Sequence, residues 1–215
     1  MIKTEQEKFW SSDFGKKYTD RNIYSPVELD KFYKKNYGVT RSQMFDDFLG
    51  DLKINNVLEV GCNVGNQLRL LQKKKFNNLY GIEIQTEAVE RAKKITKGIN
   101  IIQGSAFELP FRDDYFDLVF TAGVLIHIHP NDLEAVMKEI YRVSKKYIFG
   151  FEYYEDECQE IIYRGNKNRL WKTDFVKVYQ NCFPDLKLLK TKVYPYLDDE
   201  NRDTSFIFKK VITHS

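Results

Sequence analysis

The residues best suited to chemistry are a glycine turn, two acidic side chains and one histidine. Val57-Leu58-Glu59-Val60-Gly61-Cys62-Asn63-Val64-Gly65 is an apolar run that breaks into small residues, and Asn66-Gln67-Leu68-Arg69-Leu70-Leu71 follows with helical periodicity. Gly61 and Gly65 let main chain approach a bound molecule, and Asn63 tolerates a left-handed backbone better than other non-glycine residues. Glu83 closes the next apolar run, where a strand-end carboxylate can accept both hydroxyls of a ribose. The combination reads as a nucleoside site. A nicotinamide dinucleotide is the alternative, but its G-x-G-x-x-G fingerprint, which sets pyrophosphate on a helix N-terminus, is not the spacing here. His127, a few residues beyond the apolar run Tyr115–Thr121, is the candidate general base or acceptor-orienting group; a buried packing histidine is the alternative. His129 reads as a helix-start residue before Pro130, and His214 as incidental.

Such a site needs elements to position it. Val57, Leu58 and Val60 suit a strand covered on both faces, as in a parallel sheet. Strands and helices then alternate: a helix over Thr86–Ile95, a strand Asn100–Gln103, the strand Tyr115–Thr121, a helix Leu133–Val143 with Asn131 and Glu134 as a capping pair, and a strand Lys146–Tyr154. A helix Thr173–Phe183 precedes strands Leu186–Tyr194 and Thr204–Ile212, which with no helix between them predict an antiparallel edge hairpin. Upstream, Ser25-Pro26-Val27-Glu28 is a capping box with proline at the first helical position. A further helix begins near Thr40. Phe9, Trp10, Phe14 and Tyr18 share one helical face interrupted near Gly15; it is either a helix laid over the core or a lid.

Composition narrows the function classes. The 215 residues carry 34 basic and 31 acidic side chains, a near balance without the clustered excess of a nucleic-acid footprint. Lys73-Lys74-Lys75 reads as a solvated helix end. No run approaches the length of a membrane span and Met1–Gln6 is no signal peptide, so a cytoplasmic location is expected. Cys62, Cys158 and Cys182 lack a C-x-x-C pair, which points to neither a disulfide framework nor a metal site. Aromatic content is 15%, enough to line a pocket as well as a core.

E-x-G-x-x-x-G at Glu59–Gly65 resembles motif I of the class I S-adenosylmethionine-dependent methyltransferases, with Asn63 where glycine is commoner, and F-D-L-V at Phe116–Val119 resembles motif IV. Nearly end to end, the chain resembles the pseudaminic acid biosynthesis-associated methylases. The motifs are T-E-Q-E-x-F-W from Thr4, F-G-x-x-Y-x-x-R-N from Phe14, G-V-L-I-H-I-x-P from Gly123, E-Y-Y from Glu152 and Y-R-G-x-K-x-R-L from Tyr163. The resemblance implies a Rossmann-like α/β fold: a mostly parallel seven-stranded sheet with an antiparallel edge hairpin and helices on both faces. It implies a helical cap over 1–52 and a cofactor-binding domain over 53–215, with 153–171 as a substrate loop, in one structural unit.

The implied cofactor is S-adenosylmethionine. Glu59, Gly61, Cys62, Asn63, Gly65, Glu83, Ile84, Ser105, Ala106, Phe107, Thr121, Gly123, Val124 and Tyr18 would surround it, with Ala106 and Phe107 at the adenine. The implied reaction is O-methylation of a small sugar-like or nucleotide-sugar precursor of surface glycans, with His127 as base. Trp10, Arg21, Asn22, Glu152, Tyr153, Tyr154, Arg164 and Arg169 would contact that acceptor; the basic members, with Lys167, suit a carboxylate or phosphate. N-methylation of a sugar or protein amine, and cofactor binding without turnover, are the other readings. The Asn/Asp-Pro-Pro-aromatic signature of base methylation and the carboxylate of metal-dependent catechol methylation are both missing at Thr121–Val124.

Overall fold

Each of the first four helices is started by a side chain that satisfies the free amides of its first turn. The computed structural model describes residues 4–211. Thr4 and Glu7 form a capping box on α1 (Glu5–Trp10), Ser12 caps α2 (Asp13–Arg21), Ser25 and Glu28 box α3 (Pro26–Tyr37), and Thr40 and Gln43 box α4 (Arg41–Leu49). The aromatic face expected to break near Gly15 breaks instead at Ser11-Ser12. There the Ser12 hydroxyl donates to the Phe9 carbonyl and accepts from the Phe14 amide, ending one helix and starting the next.

Alternation then follows: β1 (Val57–Val60), α5 (Asn66–Lys73), β2 (Leu79–Glu83), α6 (Thr86–Ile95), β3 (Ile99–Gln103), β4 (Phe116–Ala122), α7 (Pro130–Val143), β5 (Ser144–Tyr153). A two-residue ladder, β6 (Gln159–Glu160) with β7 (Trp171–Lys172), leads to α8 (Phe175–Cys182), β8 (Leu186–Pro195) and β9 (Arg202–Lys210). The expected capping pair Asn131 and Glu134 is replaced by His129, whose Nδ1 accepts from the Asn131 amide at 3.2 Å. The last strand starts two residues earlier than expected because Arg202 and Asp203 pair with Pro195 and Tyr194. Ile212 and His214 lie outside the described residues.

The seven-stranded sheet runs β3-β2-β1-β4-β5-β9-β8, parallel through β5 and antiparallel at β9 and β8. Side chains of β4 serve both faces, and a register irregularity between Phe116 and Leu118 puts those two on opposite faces although they are two residues apart. Leu118 and Phe120 join a core with α3, α4, α5 and α6; Phe116 and Val119 join one with α7 and α8. The region read as a cap over 1–52 is therefore two things physically. Leu29, Tyr33, Met44, Phe45 and Phe48 of α3 and α4 are core residues, while α1 and α2 lie over the edge where β1, β2, β4 and β5 end.

Candidate active site

At that edge lies a cavity of about 310 Å³, lined by the loops that leave β1, β2 and β4, by the end of β5, and by α1 to α3. Its floor is the glycine turn. Gly61 has φ +72° and a Cβ there would lie 2.6 Å from Val124 Cγ2, so glycine is required both for the turn and for the close approach of the β4 loop. The Gly61 and Cys62 amides donate to the Ile82 carbonyl at 2.8 and 3.0 Å. Asn63 takes the left-handed conformation expected of it, φ +47°, and its side chain accepts from Thr19 Oγ at 3.0 Å.

Glu83 faces this cavity. Its two oxygens accept from the Asn63 and Gln85 amides at 2.8 and 2.9 Å, which fixes the carboxylate while leaving lone pairs for ligand hydroxyls. Burial raises its pKa and those amides oppose the rise. Glu59, only 3% exposed, lines the same cavity, and its Oε2 is buried without a partner. Burial pushes this carboxyl well above its ordinary pKa, partly offset by Arg41. Trp10 Nε1, also lining the cavity, is a buried donor without a partner. An unpaired acceptor and an unpaired donor, both buried on one cavity, are costly unless a ligand completes them.

The loop after β3 is tied to α1. Ser105 Oγ donates to Glu7 Oε1 at 2.5 Å and accepts from the Phe107 amide at 3.1 Å. Ala106, Phe107 and Ile84 line the cavity beside it. Tyr18 packs edge-on against Trp10, and burial raises the pKa of its hydroxyl. Asn22 and Tyr153 also reach the cavity, as do Gly123 and Val124.

His127 lies in a 3-10 turn, Leu125–His127, 8% exposed, with its ring 4.5 Å from Trp10 and 5.1 Å from Tyr163. Its Nδ1 is 2.7 Å from the Arg169 carbonyl. A carbonyl only accepts, so Nδ1 carries the proton and Nε2 of the neutral ring holds a lone pair. Burial lowers the pKa to about 4, so the ring is neutral and weakly basic.

Seven expected site residues stand away from the cavity lining. Gly65, φ +75°, starts α5, and Thr121 is enclosed within β4. Glu152, expected to face an acceptor, is fully buried and accepts from the Val124 and Ile126 amides at 2.9 and 3.4 Å. It shapes the β4 loop from behind, and burial pushes its pKa up to about 7. Tyr154 donates to Asp156 at 2.6 Å, while Arg21 and Arg164 are exposed. The Arg169 guanidinium covers the Phe9 ring at 4.8 Å. The segment 153–171 thus packs on α1 and α2 through Tyr163 and Arg169 more than it enters the cavity.

Among the described residues the cavity lining contains no Lys or Arg, and it includes Glu7, Glu59, Glu83 and Asp203. Tyr33, Tyr37, Gln67, Phe151, Tyr196 and Asp203 line it without having been singled out in the sequence. The spacing of four between Leu29, Tyr33 and Tyr37 is that of one helix face, and spacing alone does not tell an apolar face from a pocket wall. Asp203 in the last strand carried no signal until β9 was paired with β5.

This sheet order, with a glycine turn after β1 and an acidic end to β2, is the class I methyltransferase fold. Residues 58–147 match the protein family described as "Methyltransferase domain". Sterol 24-C-methyltransferase erg6 of Aspergillus fumigatus is 33% identical over 95 residues, 41% of this chain and 25% of that protein. Sterol methyltransferase-like 2 of Botryococcus braunii is 31% identical over 140 residues, 62% of this chain and 35% of that protein. The chain thus spans a quarter to about a third of the length of these relatives. In three dimensions it is similar to 1,6-didemethyltoxoflavin-N1-methyltransferase of Burkholderia thailandensis, solved with bound 1,6-didemethyltoxoflavin and S-adenosylhomocysteine. The TM-score is 0.73 at 13% identity, over 97% of this chain and 90% of that one, a likeness of fold.

Proposed function

We propose that the protein is an S-adenosylmethionine-dependent methyltransferase acting on a hydroxyl of a small, sugar-like molecule. One observation carries the cofactor reading: Glu83, held by two main-chain amides, and Glu59, with an unpartnered buried oxygen, share one cavity over the glycine turn. Glu83 would take ribose hydroxyls, Glu59 the ammonium of the methionine part, and Ala106 with Phe107 the adenine. A cation beside Glu59 also returns that carboxyl to its charged form. When bound, S-adenosylmethionine supplies an electrophilic methyl group on a sulfonium centre. The protein's own task is to hold the acceptor in line and keep water out. Trp10 and Tyr18 of the lid serve the second purpose. The neutral His127 serves the first, orienting the acceptor through its Nε2 lone pair more than drawing off a proton.

The sugar-like acceptor rests on the family-like motifs and on the tyrosine hydroxyls of the cavity wall. With no Lys or Arg in the lining and Arg164 and Arg169 elsewhere, an acceptor without phosphates is better supported than a nucleotide-sugar. N-methylation of a sugar amine is the second reading, favoured by the presence of Asp203 in the wall. Calorimetry with S-adenosylhomocysteine tests the cofactor: saturable binding is expected, and none removes the proposal. Labelled S-adenosylmethionine with extracts of glycan-producing cells, read by mass spectrometry, identifies the acceptor.

A further inference from the structure

Asp203 is 4% exposed, yet it faces the cavity. It stands at the start of β9, opposite Tyr153 in the antiparallel ladder with β5, and therefore on the edge that carries Glu83 and the glycine turn. Four strand spacings separate β2 from β9 in the sheet, which puts Asp203 roughly 19 Å along the edge from Glu83. That is the far side of the β4 loop from the nucleoside end.

Its surroundings are aromatic. Tyr37 donates to Asp203 Oδ2 at 2.6 Å. The Tyr37 ring lies 4.6 Å from Tyr196 and 5.7 Å from Phe151, and Tyr196 lies 6.0 Å from Tyr153. All four rings line the cavity. The two cations near Asp203 are not in the lining but lie against its wall: Arg41 stands 4.6 Å from the centre of the Phe151 ring and donates from Nε to Gln67 at 2.9 Å, and Lys172 stands 5.3 Å from the centre of the Tyr153 ring and donates to Asn201.

We infer that Asp203, ringed by Tyr37, Phe151, Tyr153 and Tyr196, is the anchor for an ammonium group on the acceptor. The charges decide the class. Within the lining an anion would meet carboxylates and the negative faces of rings, and a hydroxyl would gain a hydrogen bond to the carboxylate but no attraction to the ring faces. An ammonium gains a charge-assisted bond to the carboxylate and the attraction of the ring faces, both strengthened by exclusion of water. This deepens the methyltransferase reading, on which it rests for calling the anchored molecule an acceptor, and it makes that acceptor an amine-bearing, sugar-like compound.

The probe is glucosamine, with glucose as its neutral counterpart, followed by ligand-observed NMR on the full chain with and without S-adenosylhomocysteine. Glucosamine is expected to bind at least about tenfold more tightly than glucose. Asp203→Asn should abolish that preference while leaving affinity for S-adenosylhomocysteine unchanged. Equal binding of the two sugars, no binding of glucosamine, or a preference that survives Asp203→Asn overturns the proposal.

A pH series on the unmodified protein gives a second reading should the variant not fold. Asp203 faces Tyr37 from α3, Arg41 from α4, Tyr153 from β5, Lys172 from β7 and Tyr196 beyond β8, and burial pushes its pKa up to about 6. The preference should therefore decline as pH falls through that value, and a flat preference overturns the inference. Failure of S-adenosylhomocysteine to bind sinks the methyltransferase reading instead, while the sugar preference of the ligand-free chain still decides the ammonium site.

Discussion

Gly61 and His127 carry the sharpest consequences at the scale of single residues. Gly61→Ala places a methyl group 2.6 Å from Val124 Cγ2 at a backbone of φ +72°. It should cost about 1–3 kcal/mol of stability and most of the affinity for S-adenosylhomocysteine, as chemical denaturation and calorimetry would show. His127 stays neutral in the fold down to about pH 4 but protonates in the unfolded chain near its ordinary 6.5. Between those values the unfolded state binds the extra proton, so stability falls with pH. Relative to His127→Gln, the unmodified protein should lose up to about 3 kcal/mol across that window. Glu152, pushed up to about 7, works the other way: its proton is kept in the fold, and that contribution is lost as pH rises from about 4.5 to 7. His127→Ala should lower kcat/KM by less than about tenfold; a loss of 10² to 10⁴ would make it a working base instead.

At the scale of elements, α1 and α2 are expected to be the movable part. They have six and nine residues, too short to be stable alone, and they are held by Ser105–Glu7, Thr19–Asn63 and the Trp10–His127 contact. These are the contacts a ligand would reinforce. In hydrogen exchange the amides of both helices should exchange far faster than those of β4 in the free protein. They should become protected on adding S-adenosylhomocysteine. Unchanged exchange would mean that these helices are a fixed cover. Thr4→Ala, which removes half of the capping box of α1, should cost about 1 kcal/mol locally and accelerate exchange there first.

For the whole molecule, α3 and α4 belong to the sheet's own core. Phe45 is fully buried against Phe120 and Phe149, at 6.2 and 6.1 Å between ring centres, and Arg41 is enclosed beside it. Thermal unfolding should be one transition covering these helices and the sheet. Residues 53–215 expressed without them should give no cooperative transition by circular dichroism and calorimetry, because one face of β1, β4 and β5 would be left in water. Phe45→Ala should destabilise by about 3–5 kcal/mol.

The sequence alone determined what depends on short-range chemistry. The capping box at Ser25, the strand and turn at Val57–Gly65, the helix Thr86–Ile95 and the edge hairpin were legible because caps, glycines and apolar periods act within a few residues. That the glycine turn and Glu83 would stand side by side was legible for the same reason: one βαβ unit holds both. Tertiary structure alone decided the rest. Glu152 belongs behind the β4 loop, Arg169 lies on Phe9, and Asp203 meets Tyr37 across 166 positions of sequence. Whether a polar side chain faces a ligand or satisfies buried amides depends on which distant strand becomes its neighbour, and no local pattern records that.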